Sequence, residues 1–188
     1  MPKVIAEISA RHIHLSEKDL FFLFGKAYLL KKQNSLSQPG EFAAKETLTV
    51  KAKKNSFPKV RIIGPIRKET QVELSVSDCI FLGVKPVLNL SGDLKNSSAI
   101  TLIGPKGILK LKKGTIVAKR HLHLSKKDAQ KWALKNKQKV KVKISGSRAM
   151  LLEEVIVRVG DFQTRLHLDT DEANAAGIKN KQKVLLEI

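Results

Sequence analysis

The chain has 188 residues, 42% hydrophobic and 28% charged, the balance of a soluble globular protein with room for one domain or two small ones. Its 36 Lys+Arg against 17 Asp+Glu give a formal net charge of +19, which points to an anionic partner. A single cysteine, Cys79, excludes a disulfide framework and a cysteine-based zinc finger, and no apolar run approaches the length of a membrane span.

In chain order, residues 3–10 alternate as a strand, and the segment from Met1 to Ile8 is too short and too interrupted for a signal peptide. The strand leads into Arg11-His12-Ile13-His14-Leu15-Ser16, where Ser16 caps a helix that stops near Gly25. A short strand at 28–30 and a turn-rich loop at 35–44 come next. Thr47 to Val50 and the Lys-rich stretch up to Pro58 read as a hairpin, and Lys59 to Ile63 as a strand ending at Gly64-Pro65. Arg67 sits in the next loop, before a strand at 70–74 and a capped helix to about Gly83. Cys79 lies in that helix beside Ile80 and Phe81, where a buried small hydrophobe is expected. After a turn at Ser91-Gly92-Asp93 comes a strand at 100–103, then a hairpin of 108–112 and 115–118 around Gly114. Arg120-His121-Leu122-His123-Leu124-Ser125 opens the last third, and a helix to about Leu134 comes after it. Strands are expected near 139–144, 149–152, 154–159 and 162–168, then a short helix stopped at Gly177 and a closing strand at 182–188. Many short strands and few short helices predict β-barrels or sandwiches rather than a doubly wound sheet.

Four of the five histidines fall in two His-x-His pairs, and the fifth is His167. On a strand, residues i and i+2 share a face, so each pair aims two imidazoles at one point, a start for a zinc-type site. The residues just after each pair repeat as well. His14-Leu15-Ser16 leads to Asp19, Glu73-Leu74-Ser75 to Asp78, His123-Leu124-Ser125 to Asp128, and His167-Leu168-Asp169 to Glu172. Each copy is a ligand-type residue, Leu, an N-cap Ser or Asp, and an acid at N3 that completes or approximates a capping box. The run Lys-Asn-Lys-Gln-Lys-Val occurs at 135–140 and again at 179–184, each starting 12 residues after its histidine. The repeat sorts the potential ligands into His12, His14 and Glu73, and into His121, His123 and His167. Three protein ligands with a position left open is the pattern of a catalytic metal site. A lone His-x-His would more simply cap a strand end, but six residues on one shared pattern favour a metal.

The positive charge is mostly Lys spread along the chain, no nucleic-acid motif occurs, and aromatics are only 5%, so few platforms for base stacking exist. A phosphate-rich small molecule would use the same field, and nucleic acid is the weaker candidate.

The segments Ser-Ala-Arg-His-Ile-His-Leu-Ser (9–16), Leu-Ser-Gln-Pro-Gly-Glu-Phe-Ala-Ala (36–44), Gly-Pro-Ile-Arg (64–67) and Thr-Gln-Val-Glu (70–73) carry a family resemblance. So do Ser-Gly-Asp-Leu (91–94), Thr-Leu-Ile-Gly-Pro-Lys-Gly (101–107), Arg-His-Leu-His (120–123) and the stretch from His167 to Gly177. Together, and in order over nearly the whole chain, they resemble the PduL-type phosphate acyltransferases, also called phosphate propanoyltransferases or phosphotransacylases. Departures fall at Lys95 to Ala99, where the family has a Gly-rich segment, and at Leu88 to Leu90, where it often carries Arg.

The resemblance implies a mainly β protein of two small antiparallel β-barrel domains capped by short helices. One domain, 1–10 with 119–188, is discontinuous; the other is 11–118, with a hairpin insertion near 46–58. It implies two zinc ions per chain, one on His12, His14 and Glu73 and one on His121, His123 and His167. Arg67 would be catalytic, binding phosphate, and Ser9, Arg61, Ile63 and Asn174 would line the coenzyme A pocket. The implied reaction interconverts short-chain acyl-CoA (propanoyl-CoA or acetyl-CoA) plus phosphate with acyl phosphate plus CoA, through a metal-activated thiolate and without an acyl-enzyme. A homodimer in the bacterial cytoplasm is expected, with no microcompartment-targeting extension, since the first strand begins almost at Met1. Two other readings stand beside this one: a basic, metal-stabilised module binding nucleic acid or another polyanion, and a dinuclear metallohydrolase. Dependence on CoA separates them.

Overall fold

The computed structural model describes residues 1–188. The chain opens with β1 (Lys3–Ser9), β2 (His12–His14), α1 (Glu17–Phe24), β3 (Lys32–Ser35), β4 (Phe42–Lys51) and β5 (Ser56–Gly64). It continues through β6 (Gln71–Glu73), α2 (Val76–Leu82), β7 (Leu88–Asn89), β8 (Ser98–Ile103) and β9 (Ile108–Ala118). The remainder is β10 (His121–Ser125), α3 (Lys126–Lys131), β11 (Lys139–Ile144), β12 (Met150–Gly160), β13 (Arg165–Asp169), α4 (Thr170–Ala176) and β14 (Lys183–Glu187). These elements fall into two compact units, Ala10–Ala118, and Met1–Ser9 with Lys119–Ile188. No helix is long and apolar enough to cross a membrane.

In the discontinuous unit, β1-β13-β10-β12-β11-β14 form a closed six-stranded barrel, because β14 pairs back onto β1. In the other unit the path β4-β5-β2-β6-β9 is closed by β8, which pairs with both β4 and β9; β3 and β7 extend the sheet. Around each barrel the strand orientations run in one pattern, starting from β1 in one and β9 in the other: parallel, antiparallel, parallel, then three antiparallel pairings. The barrels are thus mixed rather than wholly antiparallel as the resemblance implied. β12 returns beside β10 through its antiparallel hairpin with β11, and two reversals restore the original direction. β5 returns beside β2 in the same way through β4.

The correspondence extends to single residues. Glu7 pairs with His167 as Ile116 pairs with Glu73, and His121 pairs with His167 as His12 pairs with Glu73. β1 precedes the first histidine pair and β9 the second, yet β1 completes the barrel of the second pair and β9 that of the first. Each repeat therefore lends its leading strand to the other repeat's barrel.

Strand alternation decides which side chains fill the cores. Leu122 and Leu124 of β10 pack with Ala6, Val157, Leu166 and Leu168; Ile13 and Leu15 pack with Ile62, Val72, Leu74 and Leu102. Each large aliphatic buried this way contributes about 1.5–3 kcal/mol. The histidines between them are forced to the opposite face of the barrel wall.

Several local expectations are corrected. β9 is one continuous strand, and Gly114 is a kink rather than a turn, at φ 132°. Its N–H donates to Ser97 Oγ at 2.8 Å, and a Cβ there would lie 2.9 Å from the Thr70 carbonyl oxygen. The strands expected at 149–152 and 154–159 are one, β12, with Glu154 at φ 58° marking the irregularity. Residues 28–30 form no strand; the strand of that region is β3. The hairpin expected over 47–58 is present, as the end of the β4–β5 hairpin, and residues 49–51 pair with β8 as well.

Candidate active site

β2 and β6 lie side by side with His12 opposite Glu73, and both turn their apolar residues to the core. The outer face of this pair brings ligand atoms of His12, His14 and Glu73 within 4.8 Å of one another, all three residues being buried. His12 Nδ1 lies 2.8 Å from the Ala10 carbonyl oxygen, and His14 Nδ1 lies 3.1 Å from that of Ile63. A carbonyl only accepts, so each Nδ1 carries a proton, and in its neutral form each ring presents an Nε2 lone pair. Glu73 Oε1 accepts from Gln71 Nε2 at 2.5 Å and from Ser91 Oγ at 2.7 Å, while Oε2 faces His12 Nε2 at 3.7 Å. Two imidazole nitrogens and one oriented carboxylate oxygen fit a zinc-type ion.

The electrostatics of this cluster are those of a charge pair. Burial pulls the His12 pKa down, but the Glu73 carboxylate beside it outweighs burial and raises it. Burial pushes Glu73 up, yet His12 and then His14 and Ser91 hold it well below the usual carboxylate range. His14 lies well below the ordinary imidazole value, through burial first and then the charges of His12 and Arg67. A metal therefore competes with a proton at His12 but hardly at His14.

Arg67 comes after β5, and its backbone N–H donates to the Leu15 carbonyl at 2.8 Å, which pins the loop beside the end of β2. Its Nη1 donates to Ser91 Oγ at 3.3 Å and its Nη2 to Glu41 Oε1 at 3.4 Å. Both contacts are longer than the roughly 2.7–2.9 Å of a strong charge-assisted bond, so the fork keeps capacity for an incoming oxyanion. Glu41 is raised by burial, with the Arg67 charge acting against it. Ser91 also accepts from Gln71 Nε2 at 3.0 Å, so its hydroxyl joins Arg67, Gln71 and Glu73. The Gly92 N–H, donating to Gln71 Oε1 at 2.8 Å, turns the amide NH₂ toward Glu73.

In the other barrel, β10 and β13 bring the second histidine set together. Ring centroids are 4.8 Å apart for His121 and His123, 5.1 Å for His121 and His167, and 4.6 Å for His123 and His167. His121 Nδ1 lies 2.8 Å from the Lys119 carbonyl oxygen, the counterpart of His12 and Ala10. Phe162 stacks on His123 at 4.3 Å.

The acids of the repeated pattern tie these strands to their capped helices. Arg11, just before His12, donates to buried Asp78 at N3 of α2 (2.6 Å from Nη2), and its guanidinium lies 4.1 Å over the Phe57 ring. Arg120, just before His121, reaches Glu172 in the first turn of α4 at 2.7 Å. Thr70 Oγ1 accepts from the Ser16 N–H and donates to Asp19, and Thr164 does the same for Ser125 and Asp128. Ligand strand and neighbouring helix are thus locked in both directions, which holds the imidazoles in place.

Of the other expected site residues, Arg61 and Ile63 belong to the same unit as this cluster, and Ser9 and Asn174 to the discontinuous unit. Arg61 is exposed on β5 opposite His12, and Ile63 supplies the carbonyl that orients His14. Ser9 ends β1 and Asn174 is exposed on α4, both in the discontinuous unit. Sequence alone does not single out Gln71 and Ser91. Gln71 shares the outer face with Glu73 two residues away, a readable signal; Ser91 carries no such local signal.

Residues 5–179 match the family model of phosphate propanoyltransferase. The phosphate propanoyltransferase of Thermotoga maritima is 49% identical over 159 residues, 84% of this chain and 76% of that protein. That of Priestia megaterium is 49% identical over 152 residues, 81% and 70% of the two chains, and that of Clostridioides difficile 45% over 155 residues, 82% and 74%. The matched span contains both histidine sets, Arg67 and Glu73, and the chain belongs to the phosphate propanoyltransferase family of acyltransferase enzymes.

Proposed function

We propose that this enzyme interconverts a short-chain acyl-CoA, propanoyl- or acetyl-CoA, and inorganic phosphate with the acyl phosphate and CoA. The observation that carries this reading is the position of Ser91. Its hydroxyl touches both Arg67 and Glu73, so a phosphate-binding fork and a metal-ligand carboxylate belong to one hydrogen-bonded unit.

In the synthetic direction the CoA thiol loses its proton and its sulfur bonds to the acyl carbonyl carbon. The carbon–oxygen bond to phosphate breaks, the electron pair leaves on the phosphate oxygen, and that oxygen takes up one proton in exchange for the one the thiol gave up. A zinc ion held by His12, His14 and Glu73 would supply the Lewis acidity that makes a thiol ionise near neutral pH. His121, His123 and His167 are proposed to hold a second zinc. Arg67 grips phosphate oxygens with a planar pair of donors and stabilises the charge that gathers on them. Gln71 and Ser91 keep the Glu73 carboxylate anionic and aimed. Arg61, exposed on the strand beside His12, would take a phosphate of CoA. Cys79 is 1% exposed within the core, which suits direct transfer without an acyl-cysteine.

The purified, zinc-loaded chain should convert propanoyl phosphate and CoA into equal amounts of propanoyl-CoA and phosphate. Phosphate release at the same rate without CoA would make the enzyme a hydrolase and overturn the reading.

A further inference from the structure

The loop between β3 and β4 ends at Glu41, whose carboxyl reaches the guanidinium of Arg67. The Leu36 N–H donates to the Glu41 carbonyl at 3.0 Å and the Glu41 N–H to the Gln38 carbonyl at 3.1 Å, so the loop closes on itself. Phe42, the next residue, opens β4 opposite Gly64, the last residue of β5. Its ring fills the space a side chain would need there, since a Cβ on Gly64 would collide with it. Arg67 lies three residues beyond Gly64, so this contact clamps the Glu41 loop onto the Arg67 loop. Glu41 Oε1 accepts from Arg67 Nη2 at 3.4 Å, while Nη1 donates to Ser91 Oγ, which donates to Glu73. Glu41, Arg67, Ser91 and Glu73 thus form one chain of hydrogen bonds. The Arg67 and Glu41 side chains are 32% and 31% exposed, open enough for an oxyanion on the fork to lie against the Glu41 carboxyl.

Acyl transfer needs an acid at this place. Near neutral pH an acyl phosphate carries no P–OH proton, and breaking its carbon–oxygen bond unaided would expel the strongly basic phosphate trianion. The proton must come from a neighbour. Arg67 does not give one up. The Nδ1 protons of His12 and His14 are directed at the Ala10 and Ile63 carbonyls, and the Ser91 hydroxyl donates to Glu73. Gln71 has only amide protons. Of the groups around the fork, Glu41 is the one that can hold and release a proton. Burial, first of all, raises its carboxyl; the charges of Arg67 and His12 act against this and that of Glu73 with it.

We propose that Glu41 is the general acid and base of the phosphate half of the reaction. With propanoyl phosphate bound, the Glu41 carboxylic acid donates to the oxygen that joins the carbonyl carbon to phosphorus. As the CoA sulfur bonds to that carbon and the carbon–oxygen bond breaks, the proton passes to the departing oxygen. Hydrogen phosphate leaves, and Glu41 is left as a carboxylate. The thiol proton goes to solvent and solvent returns one to Glu41, so the exchange balances. In the opposite direction the carboxylate takes the P–OH proton as the phosphate oxygen attacks the acyl-CoA carbonyl. The inference rests on the proposed function. The bland account of Glu41 is an ion pair that aims Arg67 and nothing more.

The test compares two substrates on the zinc-loaded full chain. One is propanoyl phosphate; the other is propanoyl methyl phosphate, whose departing methyl phosphate dianion is a weak base and needs no proton. Glu41→Gln keeps the size and an acceptor oxygen for Arg67 but has no proton to give. It should keep the wild-type metal content, lose about 100–10,000-fold in kcat with propanoyl phosphate, and change little with the methyl ester. Glu41→Asp, whose acid stands one methylene further back, should lose less, again with propanoyl phosphate only, and carries the test should Glu41→Gln misfold. Equal loss with both substrates, or no loss with either, would reduce Glu41 to a partner of Arg67. Calorimetry decides the matter should the methyl ester not be taken up. Hydrogen phosphate has a P–OH to donate to the Glu41 carboxylate and sulfate has none, so the wild type should prefer phosphate and either variant should weaken that preference; an unchanged preference would overturn the role. A wild type that forms no propanoyl-CoA from propanoyl phosphate would overturn the proposed function and this inference with it.

Discussion

His12 Nε2 and Glu73 Oε2 face each other at 3.7 Å, two buried groups that each move the other's pKa against the pull of burial. The depressed carboxyl of Glu73 contributes stability that is present above its unfolded pKa and lost as pH falls through the lower folded value. The raised imidazole of His12 contributes stability that is present below its unfolded pKa and lost as pH rises through the higher folded value. With the metal stripped by a chelator, the pair therefore stabilises most between about pH 4.3 and 6.5, the two unfolded values. The difference in Tm between the wild type and Glu73→Gln should be largest in that window. A difference that keeps growing above pH 7 would show that the pair is not what holds these groups.

Replacing Glu73 itself tests the first ligand set. A surface Glu→Ala change costs within about 0.5 kcal/mol and would leave metal content untouched. Glu73→Ala should instead bind about one zinc per chain, because the three histidines of the other set keep theirs, and should lose acyl transfer. Elemental analysis and the CoA-dependent assay together check this; full metal content with full activity would refute the assignment.

Ser91 acts on the site through its neighbours. Ser91→Ala removes the hydroxyl that orients Glu73 and touches Arg67, with no change in backbone demand. Zinc affinity at the first set should fall about 10–100-fold, the usual effect of losing an outer-shell partner. Chelator titration is the measurement, and an unchanged affinity would leave Ser91 a bystander.

Arg67→Lys keeps the charge but loses the planar fork. The loss of a charge-assisted contact to phosphate is worth about 1.5–3 kcal/mol, so kcat/KM for phosphate should drop roughly 10–150-fold in the acyl-CoA-consuming direction. KM for the acyl-CoA should stay near its wild-type value. If the KM values of both substrates move together, Arg67 supports the fold of its loop rather than phosphate.

Much of the candidate site is legible along the chain because its signals are local. Two residues apart on a strand means one face, so His12 pairs with His14 and His121 with His123 on sequence alone. The capped turns after His14, Glu73, His123 and His167 repeat, and that repetition draws Glu73 and His167 into the sets; the structure places Glu73 opposite His12 and His167 opposite His121. The same repeated acids have a second use, the ties to Arg11, Arg120, Thr70 and Thr164. Gly114 misleads as a turn because a kink and a turn look alike in one strand's sequence. The difference is made by Ser97 Oγ and the Thr70 carbonyl, which arrive from elsewhere in the chain.

The sequence by itself determined the mainly β class, the grouping of the six candidate ligands and the capped helices that come after them, since each depends on residues a few positions apart. That β1 and β9 trade barrels was implied by the family resemblance and not by the residues' own signals, and only the tertiary structure decided that Ser91 joins Arg67 to Glu73 and that Glu7 stands beside His167. Strand pairing is backbone hydrogen bonding between distant segments, and any exposed edge offers the same donors and acceptors. Which edge a strand joins is settled by closing the whole barrel over its apolar face, and no short stretch of residues encodes that choice.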